Sequence, residues 1–374
     1  MRILVAPQEY KGTLSAREAA ESIAIGVRRA LPEADLDIAP VSDGGAGLVD
    51  VLLAATGGRS MRARVQDPLG REIEAGWGLL DDRTAMIEMA AAAGLVLLSE
   101  AERDPRLTTT YGVGQLIAAA MLAGARRIIV GAGGSATNDG GSGMAAALGA
   151  RFLDAAGRDL PPGGAALARL ERIDASRLDP RLREAEVVAA TDVRNPLCGP
   201  EGASLIYGPQ KGASPRLARE LDAALRHYGE IIERDLGVAV LDVPGAGAAG
   251  GLGAGLLAFC GAEIRPGFDI VAEATVLSAR VPAADLVMTG EGRLDGQTIY
   301  GKAVARVAAL ARDAAVPVIV VPGELRKGWE SLRGAVEAIE PATSGGGTPA
   351  ERLAAAAERA VRRWVHRSDA PDRP

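Results

Sequence analysis

Apolar positions along this chain follow two rhythms, and the change between them divides it. Ile3–Ala6 is an unbroken apolar run stopped by Pro7, the pattern of a strand buried on both faces. After the loop Gln8–Gly12, Ser15-Ala-Arg-Glu18 forms a capping box, and Ile23, Val27 and Leu31 then recur on one helix face. Leu36–Val41 predicts a second strand, followed by a helix over Leu48–Ala54. From Ser60 to Met89 the rhythm becomes strict alternation (Met61, Ala63, Val65, then Ala85, Ile87, Met89) around an Asp67-Pro-Leu-Gly70 turn, which predicts antiparallel strands. Continuous runs return at Ile128–Val130, Val187–Ala190, Leu286–Thr289 and Val318–Val321, more weakly at Val336–Ile339, and Val238–Val243 also predicts a strand. Helical spacing marks Leu116–Leu122, then Leu217, Leu221, Leu225 and Ile232, then Val304, Val307 and Leu310, and finally Leu353, Ala357, Val361 and Trp364. The stretch after His366 is polar and proline-rich and predicts no element.

These elements predict an α/β fold in two domains. The strand–helix pattern at the two chain ends matches, so residues 1–60 and 280–374 are expected to share one parallel sheet. Residues 61–279 are then an inserted second α/β domain with a mixed sheet. The pattern leaves open which domain owns the strands at Ile128 and Val187.

Composition removes several functions. The 374 residues are nearly half apolar, enough for two cores. A net charge of −6, no Lys/Arg block and only 3% aromatics argue against a nucleic-acid partner. The two cysteines, Cys198 and Cys260, form no CxxC and suit a reducing cytoplasm. No apolar stretch reaches bilayer length, and MRILVAP is too short for a signal peptide, so no membrane partner is expected. The two histidines, His227 and His366, fall inside predicted amphipathic helices. Acid–base and metal chemistry are therefore assigned to Asp, Glu and Lys.

The densest polar stretch is Arg126–Ala150. Gly131, Gly133, Gly134, Ser135, Thr137, Asn138, Asp139, Gly140 and Gly141 lie between a strand and a helix, where backbone N–H groups can approach an anion. Ser135 and Thr137 offer hydroxyls to phosphate, and Asp139 offers a ligand to Mg²⁺; an ordinary βα turn is the alternative. Asp43-Gly44-Gly45-Ala-Gly echoes Asp139-Gly-Gly-Ser-Gly and makes Asp43 a second candidate. Lys11 follows the first strand, at the end where open α/β sheets bind ligands. Asp192 ends another strand, and Lys211 lies in the loop Gly208-Pro-Gln-Lys-Gly212. Thr108-Thr-Thr110 either presents hydroxyls to a ligand or caps a helix. Gly245-Ala-Gly-Ala-Ala-Gly250 matches GxGxxG, but no acid-ended strand follows about 20 residues later, so it reads as a close-approach loop for phosphate or helix packing. Glu291, Arg293 and Asp295 share one loop just before Lys302; they could serve a metal and an acidic substrate, or form an ion pair that fixes the loop. Glycine, hydroxyl, carboxylate and lysine together are the inventory of phosphoryl transfer.

Several of these motifs, in this order, resemble the type 1 glycerate kinases of bacteria. They are Lys11-Gly-Thr-Leu-Ser15, Asp43-Gly-Gly-Ala-Gly47, Thr108-Thr-Thr-Tyr-Gly112, Gly133-Gly-Ser-Ala-Thr-Asn-Asp-Gly-Gly141, Gly208-Pro-Gln-Lys-Gly212, Pro244–Gly253 and Thr289-Gly-Glu-Gly-Arg-Leu-Asp-Gly-Gln-Thr298. The resemblance covers nearly the whole chain. It implies ATP- and Mg²⁺-dependent phosphorylation of D-glycerate, with 2-phosphoglycerate favoured. It also implies a Rossmann-like domain and a second α/β domain with a cleft between them. On this reading Lys11, Asp192, Asp295 and Lys302 are expected to be catalytic, and Asp139, Asp192 and Asp295 to hold the metal. Asp43, Gly44, Gly45, Gly133, Gly134, Ser135, Thr137, Asn138, Lys211, Glu291 and Arg293 are expected to bind substrate or phosphate. A homodimer is left open. One departure is local: where the family has Asp-Ser-Phe before the lysine, this chain has Gln8-Glu9-Tyr10, so the Asp charge is absent and Glu9 is expected to point elsewhere from a strand. The rival functions are an NAD(P)-dependent dehydrogenase, resting on Gly245–Gly250, and a nucleotide-binding module without turnover.

Overall fold

The computed structural model describes residues 1–45, 47–81, 83–296, 303–343 and 346–368. Its contacts divide the chain into two units: residues 1–43 with 268–374, and residues 44–267.

The first unit is built on a five-stranded sheet in the order Ala338–Ile339, Val318–Val320, Leu286–Thr289, Arg2–Val5, Asp35–Ile38. Every neighbouring pair is parallel. This is the expected sheet shared by both chain ends, and its unbroken apolar runs are buried because helices cover the sheet. Arg2–Val5 carries its sequence successor on one side and Leu286–Thr289 on the other. The strand order reverses at that seam, which makes it the topological switch point where such sheets open a crevice. The helices Ala16–Ala30 and Pro349–Ser368 pack against each other, and Ile3, Val5, Ile23, Val27, Met288, Ile319, Leu353 and Val361 share the core. The helices approach closely because residue 26 is glycine: a Cβ there would lie 2.1 Å from the Ala354 carbonyl oxygen. The expected capping box forms at Ser15/Glu18, and the last helix begins with the same chemistry at Thr348/Glu351.

The second unit holds a six-stranded sheet in the order Glu263–Arg265, Glu186–Ala190, Arg127–Gly131, Thr84–Glu88, Glu72–Leu79, Arg59–Gln66. The first four strands run parallel and the last two are antiparallel, so the sheet is mixed. The strands at Ile128 and Val187 belong here. The division falls at 43/44 and 267/268, not near 60 and 280; the first boundary moves because the helix Leu48–Thr56 packs on Glu72–Leu79 and Thr84–Glu88. Val238–Val243 forms no strand. Its apolar positions pack without a ladder: Val240 is enclosed, Val238, Leu241 and Val243 are half-buried, and the Leu241 carbonyl accepts from the Leu197 N–H at 3.1 Å. Among the described residues no helix is long and apolar enough to cross a membrane.

Candidate functional site

The switch point of the first unit opens into a cavity of about 480 Å³. Its walls are the loops that leave the carboxyl ends of the parallel strands. Gln8, Glu9, Tyr10 and Lys11 follow Arg2–Val5, Asp43 follows Asp35–Ile38, Glu291, Arg293 and Asp295 follow Leu286–Thr289, and Glu324 follows Val318–Val320. Arg352, from the first turn of the last helix, completes the charged lining.

Backbone bonds lace these loops together. The Gln8 N–H donates to the Gly290 carbonyl at 2.8 Å, Gly323 N–H to Glu291 at 2.9 Å, and Glu324 N–H to Gly292 at 3.0 Å. The Tyr10 hydroxyl donates to the Val321 carbonyl. This spacing needs glycine at 290, where a Cβ would fall 2.3 Å from that hydroxyl oxygen. Lys11 stands exposed on a tight turn in which Thr13 and Leu14 both donate to the Tyr10 carbonyl. Burial pushes the half-buried Glu9 carboxyl up; the Lys11 charge pulls it back and Asp43 pushes it up again. Arg293 pairs with Glu324 at 2.5 Å, across the two-residue ladder that joins Arg293–Leu294 to Glu324–Leu325. Five sequence candidates therefore meet in one cavity: Lys11, Asp43, Glu291, Arg293 and Asp295.

Glu9 corrects an expectation. The strand ends at Val5, so Glu9 is not on a strand, and it lines the same cavity as Gln8 and Lys11. Glu324 and Arg352 also line it, although neither stood out in the sequence. Glu324 carried a usable signal, since it closes a strand-ending Pro-Gly-Glu. Arg352 carried none, because it reads as an ordinary first-turn residue of an amphipathic helix. Lys302 lies outside the described residues.

In the second unit the glycine-rich stretch becomes a wall. Gly133 backs onto Gly45, where a Cβ would meet the Gly45 Cα at 2.8 Å, and Gly44 lies against the Ala190 carbonyl. Gly134 is exposed, while Ser135 and Ala136 are zipped to residues 93–95: Leu95 N–H donates to the Gly134 carbonyl and Ala136 N–H to Ala93, both at 2.9 Å. Asp192 stands half-buried after Glu186–Ala190.

Thr137, Asn138 and Asp139 are fully buried. The Asp139 carboxylate accepts from the Thr110 N–H at 2.8 Å, the Thr110 hydroxyl at 2.9 Å, and the Gly141 and Gly143 N–H groups at 3.2 Å each. A side-chain anion thus already fills the start of the helix Ser142–Ala147, the place where the sequence suggested a phosphate. The metal role read for Asp139 finds no support in this arrangement, since its oxygens are spent on internal donors. Thr108 and Thr110 serve the interior too, Thr108 by donating to the Ala136 carbonyl at 2.9 Å.

Lys211 is 1% exposed, and its Nζ donates to the Thr137 carbonyl at 2.7 Å, so it braces this loop from behind. Burial pushes the Lys211 ammonium down to about 7, against the pull of Asp139. The unfolded chain keeps that proton up to about pH 10.4. The folded state therefore binds fewer protons than the unfolded chain above pH 7, and stability should rise as pH climbs from 7 to 8.5. Urea midpoints for wild type and Lys211→Met across this window check this: the slope should be present in the first and flattened in the second.

The GxGxxG match is resolved by contact. A Cβ at Gly250 would lie 1.9 Å from the Thr137 carbonyl oxygen, and no strand precedes Gly245. These glycines serve tight packing, and the dinucleotide fingerprint lacks its strand.

A parallel sheet with a charged switch-point cavity, in a chain that also carries a mixed-sheet unit, defines the class of α/β proteins that bind small ligands at the carboxyl ends of their strands. The family model for the glycerate kinase family matches residues 3–367. The Escherichia coli K12 protein named glycerate 2-kinase is 50% identical over 326 residues, 87% of this chain and 86% of its own length. The Bacillus subtilis protein named glycerate kinase is 49% identical over 328 residues, covering 87% and 86%. A crystal structure of a protein from Salmonella typhimurium LT2, assigned as glycerate kinase 2, superposes with a TM-score of 0.86 at 45% identity, over 99% of this chain and all of that one. The chain belongs to the glycerate kinase family.

Proposed function

We propose that this enzyme transfers the γ-phosphoryl group of ATP to D-glycerate, with Mg²⁺, and forms 2-phosphoglycerate. The observation that carries the reading is the lining of the switch-point cavity, in which cationic and acidic side chains converge at the carboxyl ends of four parallel strands. Lys11, Arg293 and Arg352 supply positive charge for the substrate carboxylate and the phosphate oxygens, and Arg suits both because its fork matches planar anions. Among the described residues no three His, Cys, Asp or Glu side chains are grouped to hold a metal by themselves. That donor set fits Mg²⁺, which keeps waters and is held by one or two carboxylates together with substrate phosphates. One or two of the carboxylates Asp43, Glu291 and Asp295 would hold it, together with the phosphates of ATP. When bound, Mg²⁺ neutralises charge on the transferring group. A carboxylate of the same set takes the proton of the attacking hydroxyl. Burial raises the affinity of the Glu9 carboxyl for its proton, so Glu9 is harder to ionise than an exposed glutamate.

Glycerate-dependent ADP release by the purified protein is the test, with the phosphorylated position read by phosphorus NMR. Release should require glycerate and Mg²⁺ and stop in excess chelator. Full activity in chelator removes the metal, and reduction of NAD(P) by glycerate would restore the dehydrogenase.

A further inference from the structure

Among the described residues, one buried polar atom in the cavity wall has no partner. Gln8 is 3% exposed, and its Oε1 meets no hydrogen-bond donor among the described residues. Its backbone is fixed by the bond to Gly290 across the switch-point seam. Its neighbour Tyr10, buried to the same degree, spends its hydroxyl on Val321. Native interiors rarely leave such an oxygen bare, because an unmet buried acceptor destabilises the fold. Apart from Tyr10 and Thr13, the polar side chains of this wall ionise, whereas Gln8 is neutral and offers one acceptor and two donors. Its last torsion is broad, so the amide can turn either end toward a ligand. An alcohol both donates and accepts, and so complements an amide better than a carboxylate or a phosphate does.

We propose that the Gln8 carboxamide is the specificity-determining group that receives the substrate hydroxyl not being phosphorylated. The inference rests on glycerate being the substrate. A buried amide left unpaired rejects an analogue that lacks the matching hydroxyl far more strongly than an apolar wall can.

The test compares wild type with Gln8→Met on glycerate and its two deoxy analogues, lactate and 3-hydroxypropionate. One of these keeps the reacting hydroxyl and loses the other. In wild type, kcat/KM should favour glycerate over that analogue by roughly 10³-fold or more. In Gln8→Met the preference should shrink to about tenfold or less, chiefly through a higher KM for glycerate. Melting temperature should hold or rise, since the substitution removes an unmet buried oxygen. An equal loss on both substrates, an unchanged preference, or a variant that melts well below wild type would each overturn the proposal.

A calorimetric titration of glycerate and propionate without nucleotide separates this inference from the proposed activity. Wild type should bind glycerate more tightly than propionate, and Gln8→Met should narrow that difference; an unchanged difference would overturn the proposal. If wild type turns over none of the three acids, the proposed activity fails while this titration still decides Gln8. Equal binding of the two acids by wild type overturns Gln8 as the reader of the hydroxyl.

Discussion

Asp139→Ala is expected to lower the stability of the second unit by about 3–5 kcal/mol, the loss typical of stripping one partner from a buried charged network. The substitution leaves the N–H groups of Thr110, Gly141 and Gly143 without their acceptor in a fully buried site. It also removes the negative charge that faces the buried Lys211. Urea unfolding followed by circular dichroism measures the loss. Asp139→Asn keeps the size but exchanges acceptors for donors opposite N–H groups, so it should cost nearly as much. The rival role, a magnesium ligand, predicts a different pattern: a stable variant whose activity recovers as Mg²⁺ is raised. That pattern would return Asp139 to the metal site.

The second large effect falls on activity. Asp295→Asn should lower kcat by roughly 10²-fold or more, the scale of a single electrostatic contact made in a transition state. Asp295 lines the switch-point cavity, half-buried, in the loop that follows Leu286–Thr289. Because Asn is isosteric and the position borders open space, melting temperature should change little. If Asp295 only fixed its loop, the variant would melt lower while the folded fraction kept its kcat. Both quantities measured on one sample separate the cases. The same paired measurement on Lys302→Ala tests the lysine that follows this loop in the sequence.

The architecture was largely legible because the three central strands of the first unit, Arg2–Val5, Leu286–Thr289 and Val318–Val320, are buried and write themselves as unbroken apolar runs. The hairpin Arg59–Gln66/Glu72–Leu79 was legible from alternation and its Asp67-Pro-Leu-Gly70 turn. Val238–Val243 misled because apolar spacing reports burial and not pairing. The site was half legible. Lys11, Glu291, Arg293 and Asp295 follow parallel strands, and topology alone brings such residues together. Asp139 and Lys211 could not be placed from sequence: a glycine-rich turn into a helix advertises room for an anion, but not that the chain supplies its own. Gln8 was visible as an absent charge, and only the cavity shows it as an amide with an unmet oxygen.

The unit made from both chain ends has a consequence for synthesis. The strand Arg2–Val5 must wait for Leu286–Thr289, and the Arg2 N–H for the Asp285 carboxylate, 283 residues downstream. At ribosomal speeds of about 5–20 residues per second, that wait is on the order of 15–60 s. The helix Ala16–Ala30, amphipathic and grooved at Gly26 for a partner helix, stays bare even longer, until Pro349–Ser368 emerges. Residues 44–267 face no such delay, since they form their unit from one continuous segment. The nascent chain therefore carries a finished second unit behind an N-terminal strand paired on one edge only and a helix without its partner, and this apolar segment is the part for which a chaperone has the longest window.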